Sequence, residues 1–349
     1  MKTEILSVSA CDKDFDKKIA VAADIIKNGG LVVFPTETVY GLGADATNPE
    51  AARSIFSAKG RPSDNPLIIH IANPKDAEKY TFTNEIYYNL AEKFMPGPLT
   101  VILKSKDNIP LTTRAGLDTV AVRCPENKIA RKLIEFSGVP IAAPSANLSG
   151  TPSPTKAQHV IDDMLGKVDL IIDGGECEFG LESTIVKIDE NGEITLLRPG
   201  KITLEQLLEV SNKVSVADAV TDKLREGEVA VSPGMKYRHY APKSELLLID
   251  GNVEDIIGYI KEQKFQRIAV IAYEDDFECF SKSLSYARCY SFGKKEDVVA
   301  QAHLLFSVLR DIDKENFEVI YAPLPKKQGV GLALYNRMIR AAAHKIIKL

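Results

Sequence analysis

The chain has 349 residues, room for two domains at roughly 100–200 residues each. Hydrophobic residues make up 45% and charged residues 26%, the mix of a globular protein with buried cores. The net charge of −4 argues against a chain built mainly to coat nucleic acid. Residues 51–150 nevertheless carry 13 Lys+Arg against 9 Asp+Glu, a local +4 that suits a small anionic ligand. No apolar run reaches the roughly 18–20 residues that cross a bilayer, and acidic Asp12, Asp14 and Asp16 sit where a signal peptide would be apolar. The five cysteines are odd in number, widely spaced and free of any C-x-x-C, so neither a disulfide framework nor a zinc site is expected. The expected location is a reducing cytoplasm.

In chain order, Asp16 to Asn28 reads as an amphipathic helix that stops at Gly29-Gly30, followed by a short buried strand, Leu31–Phe34, ended by Pro35. Asn48 caps the next helix, with Pro49 in its first turn, and that helix runs to about Lys59. Strands are expected at 67–71, 99–103, 119–123, 139–142, 170–172, 184–188 and 194–197, and helices at 84–94, 128–136, 155–165 and 204–210. Their irregular alternation predicts a twisted mixed α/β sheet with helices across 1–212. The stretch 213–243, which contains Pro233-Gly234 and Ala241-Pro242, reads as a linker. A second alternation fills 244–349: strands at 246–249, 268–273, 288–291 and 319–322, and helices at 253–262, 296–309 and about 331–347. This is a smaller, Rossmann-like open α/β domain in class.

The chain has no Walker A loop, and Gly41-Leu42-Gly43-Ala44-Asp45-Ala46, though it matches G-x-G-x-x-A, opens no helix directly and is expected to be a glycine turn. Four segments instead join glycine or proline to hydroxyls or cations. Thr36, Glu37 and Thr38 stand between a buried strand and that turn, where side chains that only satisfy their own backbone are an equal reading. Lys59-Gly60-Arg61 places two cations at a helix end, and Arg61 lies past the reach of the helix dipole. Residues 140–154 run from an apolar strand into Ser145, Asn147 and Ser153, and residues 174–184 lead towards Arg198-Pro199-Gly200. Together they read as one site.

The run Pro35-Thr36-Glu37-Thr38-Val39-Tyr40-Gly41-Leu42, the Lys59-Gly60-Arg61 element and Ser145-Ala146-Asn147 resemble the YrdC-like threonylcarbamoyl-AMP synthase family. Residues 233–242 look like the interdomain linker of its longer, two-domain branch, and the linker 213–243 is expected to serve as an active-site lid that folds over the cleft and excludes water. The resemblance implies a nucleotidyltransferase that converts L-threonine, bicarbonate and ATP, with Mg²⁺, to threonylcarbamoyl-AMP and pyrophosphate. It also implies a tRNA threonylcarbamoyl transferase complex as recipient of the product, possible weak tRNA contact, and no membrane. Carried over by position, Lys59 and Arg61 would be the catalytic cations and would bind ATP with Asn65, Thr119, Ser145, Asn147, Ser153, Arg198 and a linker tyrosine, Tyr237 or Tyr240. Thr38, His70, Arg123, Ala143 and Ser183 would hold threonine.

The residue chemistry suits a displacement driven by positioning and charge, since no nucleophile–base pairing is evident. Arg123 offers a planar fork for the threonine carboxylate. No acidic metal-ligand cluster stands out, so no protein metal site is expected and Mg²⁺ would be held mostly by phosphates and water. The rival from another class is an RNA-binding protein with a YrdC-like basic surface, weakened by the acidic remainder of the chain. A hydrogenase-maturation type of module would carry zinc-finger and acylphosphatase segments, which are not visible here.

Overall fold

The computed structural model describes residues 2–222 and 239–349. The first domain is built on an eleven-stranded sheet. Across that sheet the strands run Glu4–Ser7, Leu170–Asp173, Val32–Phe34, Gly41–Asp45, Ile141–Ala142, Ile68–His70, Thr119–Arg123, Leu99–Lys104, Thr184–Ile188, Ile194–Arg198 and Val214–Val216. Parallel and antiparallel pairings mix along it, as the sequence predicts. Alternate residues of each strand face opposite sides. Val32 and Phe34 therefore pack on helices Phe15–Lys27 and Lys128–Ser137, and Val33 joins the core under helices Pro49–Lys59 and Glu85–Phe94.

The second domain is a five-stranded parallel sheet in the order Arg288–Ser291, Ile268–Ala272, Val319–Pro323, Glu245–Asp250, Ile346–Lys348. Helices Val298–Ile312 and Val330–Ala341 cover one face, and Val253–Glu262 and Glu274–Ser283 cover the other. The first of these cores does not stop at the domain boundary: Val39, Phe179 and Leu181 of the first domain and Tyr240 of the linker belong to it. Glycine permits this close approach at Gly180, where φ is +85° and a Cβ would lie 2.7 Å from the backbone of His303. Arg310 adds an ion pair with Asp163 at 2.7 Å and a hydrogen bond to the Pro152 carbonyl at 2.6 Å.

Several elements differ from expectation. Gly41–Asp45 is a strand rather than a turn, because its neighbours supply the bulk that its glycines lack: a Cβ on Gly43 would sit 2.7 Å from the Phe34 ring and 2.8 Å from Ile141. Val214–Val216, within the expected linker, is an edge strand of the first sheet. The closing helix ends at Ala341, where Ala343 and His344 take φ of 50° and 65° and turn the chain into a last strand. Helix Glu274–Ser283 and strand Glu4–Ser7 have no counterpart in the sequence reading.

Candidate functional site

The site forms where strand ends meet. Ile68–His70 and Thr119–Arg123 pair in parallel with His70 opposite Arg123, which places both side chains at the rim. The loop after Val32–Phe34 folds against them. Thr36 satisfies its own turn, its hydroxyl donating to the Val39 carbonyl at 2.6 Å and accepting from the Thr38 and Val39 amides. Glu37 does not. Its Oε1 accepts from Arg123 Nη2 at 2.6 Å, and its Oε2 accepts from the backbone amides of Glu126 and Asn127. Arg123 Nη2 also donates to Thr38 Oγ1 at 2.9 Å, whereas Nε is buried without a hydrogen-bond partner among the described residues. Burial first, and then the Arg123 charge, pull the His70 pKa down to about 3, so the ring is neutral.

On the neighbouring wall Lys59 reaches from the end of its helix to the 145–147 loop. Its Nζ donates to the Ser145 carbonyl, to the Asn147 carbonyl at 2.5 Å and to Asn147 Oδ1 at 3.4 Å. Burial, followed by Arg61, pulls its pKa well below the ordinary lysine value. Three acceptors around one nitrogen nevertheless match the three donors of an ammonium group. Ser145 Oγ donates to Asn147 Oδ1 at 2.5 Å, closing this cradle. Arg61 Nη2 donates to the Pro66 carbonyl at 3.2 Å, and the buried Asn65 Oδ1 beside it has no hydrogen-bond partner among the described residues.

The third wall comes from residues 182–198. Arg198 donates through Nε to the Ser183 carbonyl at 3.0 Å and through Nη2 to Ser183 Oγ at 3.1 Å. Burial holds its pKa at about 10, still protonated at neutral pH. Glu182 accepts from the Ser153 hydroxyl and, at 2.7 Å, from Nε of Arg337 in the second domain. Burial pushes its carboxyl up, but Arg337, Arg198 and Ser153 outweigh that and hold it below the usual carboxylate value. His239 and Tyr240, at the end of the linker, also line the cavity. Tyr240 has φ of 63°, a backbone conformation that costs a non-glycine residue about 1–3 kcal/mol, and its ring stacks on Phe306 at 5.3 Å.

The resulting cavity has a volume of about 50 Å³. Small-molecule sites commonly span about 300–1,000 Å³, so the cavity in this conformation is smaller than a nucleotide needs.

This architecture has solved counterparts. Residues 24–200 match the family model described as "Telomere recombination", and residues 202–343 match "Threonylcarbamoyl-AMP synthase, C-terminal domain". The threonylcarbamoyl-AMP synthase of Pyrococcus abyssi is 44% identical over 95% of this chain and 96% of its own length. That of Bacillus subtilis is 42% identical over the whole of both chains. A crystal structure of P. abyssi Sua5 complexed with L-threonine covers 99% of each chain at 42% identity and a TM-score of 0.88. The chain belongs to the threonylcarbamoyl-AMP synthase family.

Membership makes it an enzyme that forms an adenylate, threonylcarbamoyl-AMP. Of the family positions singled out in the sequence, Arg61, His70, Arg123, Ala143, Ser145, Ser183, Arg198 and Tyr240 line the closed cavity. Thr38, Lys59, Asn147 and Ser153 stand one shell back, each bonded to a lining residue or its backbone. Asn65 lies beside Arg61, its carbonyl accepting from Nε. Thr119 is at the opposite end of its strand from Arg123, on the same face but outside the cavity. Tyr237 lies outside the described residues.

The sequence places Glu37 and Glu182 within the site segments, and His239 within the linker, without a role for any of them, and it does not point to Arg337 at all. Glu37 sat inside a quoted motif, and its position between two threonines after an apolar strand was the available signal. Nothing local pairs Arg337 with Glu182, although it stands in a helix that has no exposed residue.

Proposed function

We propose that the chain condenses L-threonine, bicarbonate and ATP to threonylcarbamoyl-AMP, pyrophosphate and water, in a cleft closed by its linker. The observation that carries this reading is the convergence of three guanidinium groups, Arg61, Arg123 and Arg198, on one cavity. The single carboxylate lining it among the described residues, Glu182, is already paired. Such a site suits two anionic substrates, one carrying a carboxylate and the other a polyphosphate.

The free Nε edge of Arg123 would take the threonine carboxylate, with Thr38, His70, Ala143 and Ser183 around it. His70, being neutral, would orient substrate by hydrogen bonding rather than act as an acid. Lys59, Arg61, Ser145 and Asn147 would surround the nucleotide phosphates, with Asn65, Thr119, Ser153, Arg198 and Tyr237 or Tyr240 completing the ATP site. The threonine amine and bicarbonate combine to a carbamate with loss of water. A carbamate oxygen then attacks the α-phosphorus, the bond to the β-phosphate breaks, and pyrophosphate leaves. The protein's part is alignment and charge stabilisation, which needs no enzyme nucleophile.

Mg²⁺ would enter with ATP as part of the substrate. No group of three or more His, Cys, Asp or Glu side chains able to hold a metal occurs among the described residues, and both oxygens of Glu182 are engaged. Closure by His239 and Tyr240 would keep water from the carbamate and the mixed anhydride. The product would pass to a tRNA threonylcarbamoyl transferase complex, with at most weak tRNA contact by this chain. The unpaired cysteines fit a cytoplasmic place, and among the described residues no helix is long and apolar enough to cross a membrane.

The test is pyrophosphate release from Mg·ATP with threonine or bicarbonate withheld in turn. Release that ignores both, or salt-sensitive RNA binding without release, would overturn this reading in favour of the RNA-binding alternative.

A further inference from the structure

We propose that Arg337, contributed by the second domain, is a positioning residue of the active site, acting through Glu182 on Ser153 and through Tyr240 on the linker. The proposal deepens the synthase reading and rests on its placing of Ser153 and Tyr240 on the ATP side.

Arg337 has no exposed surface. Its Nε donates to Glu182 Oε2 at 2.7 Å and its Nη2 to the Glu182 carbonyl at 3.3 Å, a two-point grip on side chain and backbone of one residue. Its Nη1 donates to Asn336 Oδ1 at 2.8 Å, and Asn336 in turn donates to the Val220 carbonyl at 2.6 Å. Its guanidinium carbon lies 5.6 Å from the centroid of the Tyr240 ring, which is also stacked on Phe306. Helix Val330–Ala341 thus holds the linker towards both of its ends, at Val220 and at Tyr240. The left-handed backbone of Tyr240 persists only where its surroundings over-determine it, and Arg337 and Phe306 are those surroundings.

Two other polar contacts between the domains, Arg310 with Asp163 and Thr155 with Ser307, touch no residue that lines the cavity, and Val39, which does line it, meets the second domain by apolar packing. Arg337 differs because both Glu182 and Tyr240 line it. The charge logic is also specific. A buried carboxylate among phosphate-binding cations would either repel the incoming polyphosphate or be protonated. Paired with Arg337, Glu182 stays ionised, is neutralised locally, and fixes the hydroxyl of Ser153.

The experiment uses the full chain with Arg337→Met and Arg337→Lys, measuring threonine-dependent pyrophosphate release, the KM for ATP and for threonine separately, and calorimetric binding of a non-hydrolysable ATP analogue. The expected result for Arg337→Met is a KM for ATP, and an analogue Kd, raised by about ten-fold or more. The KM for threonine should change by less than about three-fold, because the Glu37–Thr38–Arg123 cluster does not touch Arg337. Arg337→Lys should be intermediate, and adding Glu182→Gln to Arg337→Met should recover part of the loss by removing the stranded carboxylate. An unchanged KM for ATP, or equal rises in both KM values with no recovery by Glu182→Gln, overturns the proposal and leaves Arg337 an interdomain strut. If Arg337→Met does not fold, Arg337→Lys carries the same comparison. A wild-type chain without threonine-dependent release would count against the synthase reading, whereas analogue binding still decides the role of Arg337.

Discussion

Glu37→Gln isolates the part of the site that the motif did not explain. Glu37 and Arg123 are almost fully buried and pair at 2.6 Å, while the second carboxylate oxygen serves two backbone amides. A glutamine has one acceptor oxygen, which can serve either Arg123 or the amides of 126 and 127. One side is left unsatisfied, and a lost hydrogen bond to a charged group costs about 1.5–3 kcal/mol. At about 2–4 °C per kcal/mol for a domain of this size, the transition that melts the first domain should fall by about 3–12 °C. L-threonine should narrow the gap, because its carboxylate then meets an arginine whose counter-charge has gone and no longer faces the repulsion of Glu37. Scanning calorimetry of wild type and variant, with and without saturating threonine, measures both effects. A variant that melts with the wild type to within about 1 °C, or a gap that threonine leaves unchanged, would refute the reasoning.

Lys59→Met should lower the pyrophosphate release rate by about 10²–10³-fold, the scale for removing one preorganised charge donor, with far-ultraviolet dichroism unchanged; steady-state assay decides it. Burial holds the folded pKa values of His70 and His239 at about 3 and of His159 at about 4. Each must take up a proton on unfolding below about pH 6.5, so their contribution is complete above that pH and is lost as pH falls towards the folded values, by about 1.4 kcal/mol per unit for each histidine. Denaturant titrations at pH 7 and pH 5 should therefore show a clear loss at pH 5, and equal midpoints would contradict it. Arg310→Ala removes the ion pair with Asp163 and the bond to Pro152, and should split one calorimetric transition into two as the domains uncouple. Chelation should abolish pyrophosphate release yet leave the melting temperature of the protein without ATP unchanged, which a scan in excess EDTA checks.

Much of the frame was legible because it follows local rules. Asn48 accepts from the amides of Glu50 and Ala51 with Pro49 in the first turn, as an N-cap should, and helix Phe15–Lys27 buries the very stripe of Ile19, Ala22, Ala23 and Ile26 that its period marks. Gly41–Asp45 was not legible, since its glycines report the size of Phe34 and Ile141, which only the pairing brings near. The site divides in the same way. Arg61 stood out because no helix dipole accounts for it, and Ser145 and Asn147 stood out as polar residues following an apolar strand. Glu182 and Arg337 are 155 residues apart, and each alone is an unremarkable charged residue. Their meaning is the buried pair, which no local pattern carries.

The strand order has a consequence for how the protein is made. Val32–Phe34 pairs on one side with Leu170–Asp173, whose first residue follows 136 positions later. At about 5–20 residues per second, a ribosome leaves that apolar edge waiting for about 7–27 s. The cavity waits longer still, for Ser183 and Arg198, then for the linker, and finally for Arg337 in the last helix. Non-local pairing of this kind slows folding and exposes sticky strands meanwhile, so the nascent chain is prone to aggregate until the partner strand arrives. A translation product lacking only its last turns of helix would have every substrate-binding motif in its sequence and still lack the arginine beneath Glu182.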